Sequence, residues 1–508
     1  MTANKREAAL RTLSKSKLLA LRQCAKRLWL EVHCPELRED SRATQASFVV
    51  GHQVGDIARQ LYDPKGRGVL IDPQADGFEE AFRRTQELLQ STRPIFEAGF
   101  RAEGALAFAD VLLPAKKSGN RCWHMIEVKS STSVKDYHRD DAAVQALLAR
   151  SSGVPLASIA LAHIDNSWVY PGDGDYSGLL IESDLTDDAF DRAEEVRGWI
   201  AQAQKVVARK TEPRISTGMH CNDPYACGFF QYCQSQEPQA ERPIHWLPGR
   251  LSNSLQVQIE KHRLTELDDI PDALLNQRQK RVKDVTVSGQ VYFNQQGAAQ
   301  ELAAHKLPAY FMDFETIQFA VPIWKGTRPY QQIPFQFSVH RLSRTGKLEQ
   351  QAFLDLSGND PSKAFVEALI AACGERGPIF VYNASFEMAR IRELAERFPR
   401  RARSLLALND RVVDLLPVAR DHFYHPSQQG SWSIKAVLPA LCPDLEYSDL
   451  SGVQDGGMAT EAFLEALAPQ TSKARKAEIE QQLLAYCALD TYAMVRLWAA
   501  FTDTAIQN

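Results

Sequence analysis

Two carboxylates placed two residues apart inside an apolar run constrain this chain more than any other feature. The stretch YFMDFET, residues 310–316, reads as a strand, and Asp313 and Glu315 fall on the same face of it because strand side chains alternate. Adjacent acids repel, and burying either one unpaired is costly. A fold that buries this strand must therefore bring compensating charge to that spot. Further along, the apolar run at 379–382 leads into a helical pattern whose first turn carries Glu387, and a late helical run sets Tyr486 and Asp490 one turn apart on one face. Four acids and a tyrosine from three elements can converge on one point. Mg²⁺ or Mn²⁺ would explain such a cluster, since hard cations take oxygen ligands and cancel carboxylate repulsion. Two such ions about 4 Å apart activate a water and stabilise the leaving oxygen of a phosphodiester. The tyrosine would orient that water.

At 508 residues the chain is too long for one ordinary core. Three blocks are expected: 1–238, which mixes helical and strand patterns; 239–305, a polar helical linker or insert; and 306–508, which alternates strands and helices. In the last block strands are predicted at 309–314, 334–341, 350–356, 378–383 and 411–415, with helices at 361–373, 384–397 and 476–502. This order suggests a mixed sheet with helices on its faces. The first block is predicted to hold a basic helix over 15–32, strands near 106–113 and 123–129, and a helix at 140–150. A formal charge of −4 excludes a uniformly basic nucleic-acid coat, so any such site must be a local groove. No run approaches the roughly 18 apolar residues of a membrane span, and the charged N-terminus lacks a signal-peptide core. The expected compartment is the cytoplasm, with no membrane partner.

The first block holds a second acidic set. Asp110 closes one apolar run, and Glu127 and Lys129 share a face of the next. Two acids and a lysine on adjacent strands can bind a metal and polarise a water, with Lys129 stabilising phosphate charge. The block ends in HCNDPYACGFFQYC, which spaces Cys221, Cys227 and Cys233 as C-x5-C-x5-C. Three thiols so close point to a soft metal or an Fe–S cluster whose fourth ligand comes from elsewhere. Cys24 is the candidate, ahead of Cys34. Zinc is the rival, although its sites favour C-x2–4-C pairs. Cys122, Cys373, Cys442 and Cys487 read as core residues.

The ordered acids of the last block resemble the DnaQ-like exonuclease superfamily on the RNase H-like fold, in its tyrosine-containing DEDD branch. Asp313 and Glu315 match its first motif, YNASFE its second, and Tyr486 with Asp490 its third. The second motif usually ends in Asp where this chain has Glu387, and Asp414 is the other candidate. Asp110, Glu127, Lys129 and the later Gln145 resemble the PD-(D/E)xK core of RecB/Cas4-like nucleases. That group usually has a tyrosine where Ala149 stands and a histidine where Gly55 aligns, with His52 one turn earlier. One cysteine before the core and three after it resemble the [4Fe–4S] ligands of Cas4-like and AddB-like nucleases. Taken together the chain resembles bacterial proteins carrying the DUF2779 domain.

The resemblance implies an α/β, two-domain protein. An N-terminal PD-(D/E)xK restriction-endonuclease-like core with an Fe–S cluster would precede a C-terminal RNase H-like mixed sheet flanked by helices. The implied activity is metal-dependent nuclease action, as an exonuclease on single-stranded DNA ends, in DNA repair or defence against foreign DNA. No G-x4-G-K-[ST] motif is present, so unwinding would fall to a helicase partner. Lys435 and Trp432 would touch phosphate and base, or else serve the fold. Lys15, Lys17, Arg22, Lys26 and Arg27 form either a phosphate surface or a solvated helix face. Two alternatives stand beside this reading: one catalytic domain with the other reduced to a binding module, or a non-catalytic Fe–S-stabilised nucleic-acid adaptor.

Overall fold

The computed structural model describes residues 11–506 of a mixed α/β protein. The chain forms two compact units: Met1–Pro238 with Phe319–Gln331, and Gln239–Gln318 with Gln332–Asn508. The stretch at 239–305, expected as a helical linker or insert, groups with the second unit, where Leu255, Leu267 and Ile270 bury a small core of their own. Conversely, thirteen residues inside the expected last domain belong to the first unit.

In the first unit a seven-stranded sheet comprises β1 (Leu13–Ser14), β2 (Val69–Leu70), β3 (Ile95–Ala102), β4 (Ala105–Lys117), β5 (Asn120–Lys129), β6 (Leu156–Ile164) and β7 (Leu180–Asp184). Strands β2 to β7 lie in sequence order, with β1 added beside β4. The ladder between β4 and β5 runs from Lys117↔Asn120 only to Val111↔Ile126. Beyond it the strands part, and the Asp110 carboxylate accepts the Val128 N–H at 2.6 Å. Helices α1 (Lys15–Gln23), α2 (Ala25–His33), α3 (Arg42–Tyr62) and α4 (Asp136–Ser151) supply the side chains considered below. The single helix expected over 15–32 is broken at Cys24, whose extended backbone (φ −161°, ψ 126°) separates α1 from α2.

The second unit carries β8 (Tyr292–Phe293), β9 (Ala309–Ile317), β10 (Ile333–Leu342), β11 (Leu348–Leu354), β12 (Ile379–Val381), β13 (Val412–Asp414) and β14 (Phe423–Tyr424). Its main sheet runs β11-β10-β9-β12-β13, antiparallel on the first side of β9 and parallel on the other. Helices α5 (Ser362–Cys373), α6 (Ser385–Arg397), α7 (Leu415–His422), α8 (Ile434–Leu441), α9 (Gly456–Leu467) and α10 (Lys473–Thr502) complete the elements needed here. The two-residue period of a strand sorts β9 into two faces. Tyr310, Met312 and Phe314 pack with Phe365, Leu369 and Ile391 of α5 and α6. Phe311 faces Trp498 of α10, and Asp313 and Glu315 share its side. Each fully buried aromatic on the first face contributes about 1.5–3 kcal/mol, which offsets the cost of burying acids on the other.

Candidate functional site

Alternate residues of β10 seat α10 against the sheet. Gln336 donates to the Leu483 carbonyl at 2.7 Å, Ser338 meets the Thr491 hydroxyl at 2.7 Å, and His340 Nδ1 meets that hydroxyl at 2.8 Å. These polar residues stand at every second position of a buried strand, the one sequence signal that could have singled them out. Fixing α10 there brings Asp490 to β9, and carboxylate oxygens of Asp313, Glu315 and Asp490 lie within 4.8 Å of one another. Glu387, in the first turn of α6 and 2 % exposed, reaches Asp313. Its Oε2 is buried with no donor. Burial raises all four acids, helped by repulsion from the other acids at Asp313 and Glu315: Glu315 to about 8, Glu387 to about 7, Asp490 to about 6, and Asp313 well above the carboxylate range.

Tyr447, not singled out by the sequence, donates its hydroxyl to Asp490 Oδ1 at 2.5 Å. Tyr486 also bonds to Asp490, and burial beside the acids raises its hydroxyl far above the usual range. Lys435 stands 5.2 Å from the ring centres of both tyrosines and donates to the Gln454 carbonyl at 2.7 Å. Trp432 takes the fold-contact reading, not the base-stacking one. It is buried, its indole N–H donates to the Phe423 carbonyl at 2.9 Å, and its ring packs on Tyr424. Asp414 is likewise spent on the fold: it accepts the backbone N–H groups of Asn383, Ala384 and Leu416.

In the first unit Glu127 is buried between two lysines and an amide. Its Oε1 accepts Lys15 at 2.9 Å and Lys129 at 2.5 Å, and its Oε2 accepts Gln145 at 2.5 Å. Asp141, which the sequence reading passed over, pairs with both lysines at 2.9 and 2.8 Å and accepts Gln145 at 3.1 Å. Burial, with Asp110 and Asp141 nearby, raises Glu127 to about 7. Burial works against the Asp141 carboxylate too, but Lys129 and Lys15 outweigh it and hold its pKa far down. Lys15, His52, Gly55, Glu97, Asp110 and Lys129 line one cavity of about 500 Å³. Here the lysines stand between the acids, and among the described residues only the Asp313 cluster brings three such ligand atoms within 4.8 Å. Ala149 lies in the core.

The basic helix is neither a solvated face nor an open phosphate surface. Lys15 enters the Glu127 cluster, Lys17 donates to the Glu31 carbonyl, Arg22 pairs with Asp140, Lys26 with Glu212 and Arg27 with Glu31. The break at Cys24 turns that residue toward the later cysteines, and Cys24, Cys221, Cys227 and Cys233 line a single cavity. Cys34 is not among its lining residues. Burial raises the Cys227 thiol and pushes Cys233 up to about 11. Cys122, Cys373, Cys442 and Cys487 are buried, as read from the sequence.

The fold and site define a mixed α/β protein with a buried acidic cluster on a mixed sheet and a lysine–carboxylate cluster in a separate unit. Residues 310–433 match the model of a family described as Domain of unknown function (DUF2779). That stretch includes Asp313, Glu315 and Glu387 and ends before Tyr486 and Asp490. A similar curated protein is the Uncharacterized protein MG366 homolog of Mycoplasma pneumoniae, 28% identical over 207 residues, or 37% of this chain. The match spans 31% of that relative's own length. No helix among the described residues is long and apolar enough to cross a membrane.

Proposed function

We propose that this protein is a metal-dependent nuclease, an exonuclease hydrolysing phosphodiester bonds at single-stranded DNA ends in repair or defence against foreign DNA. The second unit is read as an RNase H-like DEDDy exonuclease and the first as a PD-(D/E)xK nuclease with an Fe–S cluster. One observation carries the reading: three carboxylate oxygens from β9 and α10 crowd within 4.8 Å in a buried place. The orphaned Glu387 Oε2 beside them fits a cation in the same way, because a buried acceptor without a donor is costly.

Bound Mg²⁺ or Mn²⁺ would supply the charge that activates water and stabilises the leaving oxygen. Asp313, Glu315, Glu387 and Asp490 would hold it. Tyr447 fixes the Asp490 carboxylate through its hydroxyl. Tyr486 stays protonated at neutral pH; its hydroxyl, bonded to Asp490 here, would turn to align the attacking water once that carboxylate is engaged by metal. Lys435 lowers the charge around Glu315 and Asp490 and offers a cation to the phosphate. In the first unit Asp110 and Glu127 would hold the metal, Lys129 would neutralise phosphate charge and Gln145 steadies the Glu127 carboxylate.

Cys24, Cys221, Cys227 and Cys233 would hold a [4Fe–4S] cluster, which would tie α1 to the end of the first unit. Their donor set fits this group better than Zn²⁺. Zinc sites favour C-x2–4-C pairs, whereas Cys221, Cys227 and Cys233 are spaced C-x5-C-x5-C. Iron and sulfide analysis of anaerobically purified protein, with absorption near about 400 nm, tests this assignment. A stoichiometric zinc content without iron would refute it.

For the nuclease reading the test is Mn²⁺-dependent degradation of labelled single strands by the full chain. Asp313→Ala and Lys129→Met should each remove part of the activity, and the double variant all of it. A wild-type protein inert on DNA and RNA of every end structure would sink the reading.

A further inference from the structure

Lys15 has no part in the reading above, yet it is tied into the first unit's acidic cluster as closely as Lys129. Its Nζ lies 2.9 Å from Glu127 Oε1 and 2.9 Å from Asp141 Oδ1. Lys129 meets the same Glu127 oxygen at 2.5 Å and the other Asp141 oxygen at 2.8 Å. Two ammonium groups and two carboxylates thus form a ring of alternating charge. The acids are almost wholly buried, at 1 % and 4 % side-chain exposure, while Lys15 is 19 % exposed and lines the cavity that Lys129 and His52 also line. Lys15 therefore stands on the side of the ring from which a ligand would arrive.

Two buried carboxylates sharing a site need a cation to remain ionised. A divalent ion on Glu127 would serve that need as well as Lys15 does, so the two compete for one place. Helix α1 cannot follow a departing Lys15, because both of its ends are tied. Just before it, Leu13 and Ser14 pair with Ala105 and Leu106 of β4. At its other end Gln23 donates to the His220 and Tyr225 carbonyls at 2.8 Å each, and Arg22 pairs with Asp140 at 3.0 Å. Only the flexible side chain can move, and a lysine stem allows its charged head to swing while its base stays fixed.

We propose that Lys15 is a holding cation: its ammonium occupies the Glu127–Asp141 pair until a divalent ion takes that place, and is then released toward the substrate phosphate. This rests on the nuclease reading of the first unit. Lys15 holds the two carboxylates in place before metal arrives, at the cost of weaker metal binding. Released into the cavity, it adds a positive charge for the pentavalent phosphate beside that of Lys129.

The test uses the full chain with Asp313→Ala, so that cleavage and Mn²⁺ binding report on the first unit, with binding assigned through its loss in Glu127→Gln. Adding Lys15→Met should tighten Mn²⁺ binding by about tenfold or more, since a competing charge is gone, while single-strand cleavage falls by about 10²-fold. Lys15→Arg, which keeps the charge, should bind Mn²⁺ as the parent does. A structural ion pair would behave differently, losing Mn²⁺ affinity and cleavage together. Unchanged or weaker Mn²⁺ binding, unchanged cleavage, or no Mn²⁺ binding lost in Glu127→Gln overturns the proposal. Should Lys15→Met not fold, Lys15→Gln keeps hydrogen-bond donors without the charge and carries the same outcomes. If the parent cleaves nothing, the nuclease reading of this unit has failed; calorimetry then decides alone, tightening supporting the holding role and its absence refuting it.

Discussion

Glu387 carries one methylene more than the aspartate usual in the motif it resembles, and the reason lies in what it reaches. From the first turn of α6 it extends to Asp313 and leaves Oε2 buried without a donor. Shortening the side chain withdraws that oxygen from the cluster. With Lys129→Met as background, Glu387→Asp should lower single-strand cleavage by the second unit about tenfold to a hundredfold; unaltered cleavage would remove Glu387 from the cage. Tyr447 offers a second test. It fixes Asp490 through one hydrogen bond of 2.5 Å, so Tyr447→Phe should lower kcat about tenfold with KM little changed. A rise in KM alone would instead make Tyr447 a substrate contact. Asp313, Glu315 and Asp490 were legible because carboxylates in apolar periodic runs demand an explanation. Lys15 was not, because its partner lies far off in the chain: Lys15 and Glu127 are 112 residues apart. On a helix face lysines and arginines read as solvated, and nothing local reveals that this row turns inward.

The elements were legible where periodicity is long and unbroken, as in β9, β10, α5 and α10. The break at Cys24 was not, since neither glycine nor proline marks it and the flanking residues favour helix. Asp414 shows how one residue can be read at the wrong scale. Taken as a possible ligand, it is instead the joint between two elements, accepting Leu416 N–H at the start of α7 and the N–H groups of Asn383 and Ala384 just before α6. Asn383 holds a left-handed backbone (φ 76°), a conformation that costs energy outside glycine and needs such support. Asp414→Ala should destabilise the protein by about 1–2 kcal/mol, read as a lower urea midpoint, and should also impair cleavage by letting the Glu387 turn drift. Asp414→Asn keeps an acceptor and should recover part of both. Full activity in Asp414→Ala would show that the α6 start is held by other contacts.

Over the whole molecule, the buried acids determine how stability follows pH. Burial first, and neighbouring acids second for Glu127 and Glu315, raise Glu315 to about 8, Glu127 and Glu387 to about 7 and Asp490 to about 6. Their unperturbed values are 4.5 for Glu and 3.8 for Asp. The metal-free folded protein therefore keeps protons that the unfolded chain has released. Their contribution is present near the unfolded values and is lost as pH rises through about 6 to 8. His138 and His340 act in the opposite direction: burial lowers both to about 4 from 6.5, so their contribution is present above 6.5 and lost as pH falls toward 4. Metal-free protein should be most stable near about pH 5–6. A divalent ion replaces those protons, and its binding grows stronger as pH rises. In EDTA the Tm should fall by about 5 °C or more between about pH 6 and pH 8.5, and excess Mg²⁺ or Mn²⁺ should remove most of that fall. Asp313→Asn should flatten the metal-free slope by removing the acid raised well above the usual carboxylate range, and should also blunt the rescue. A slope that neither metal nor Asp313→Asn alters would mean that these acids are not a cation site, and the proposed chemistry of the second unit would lose its basis.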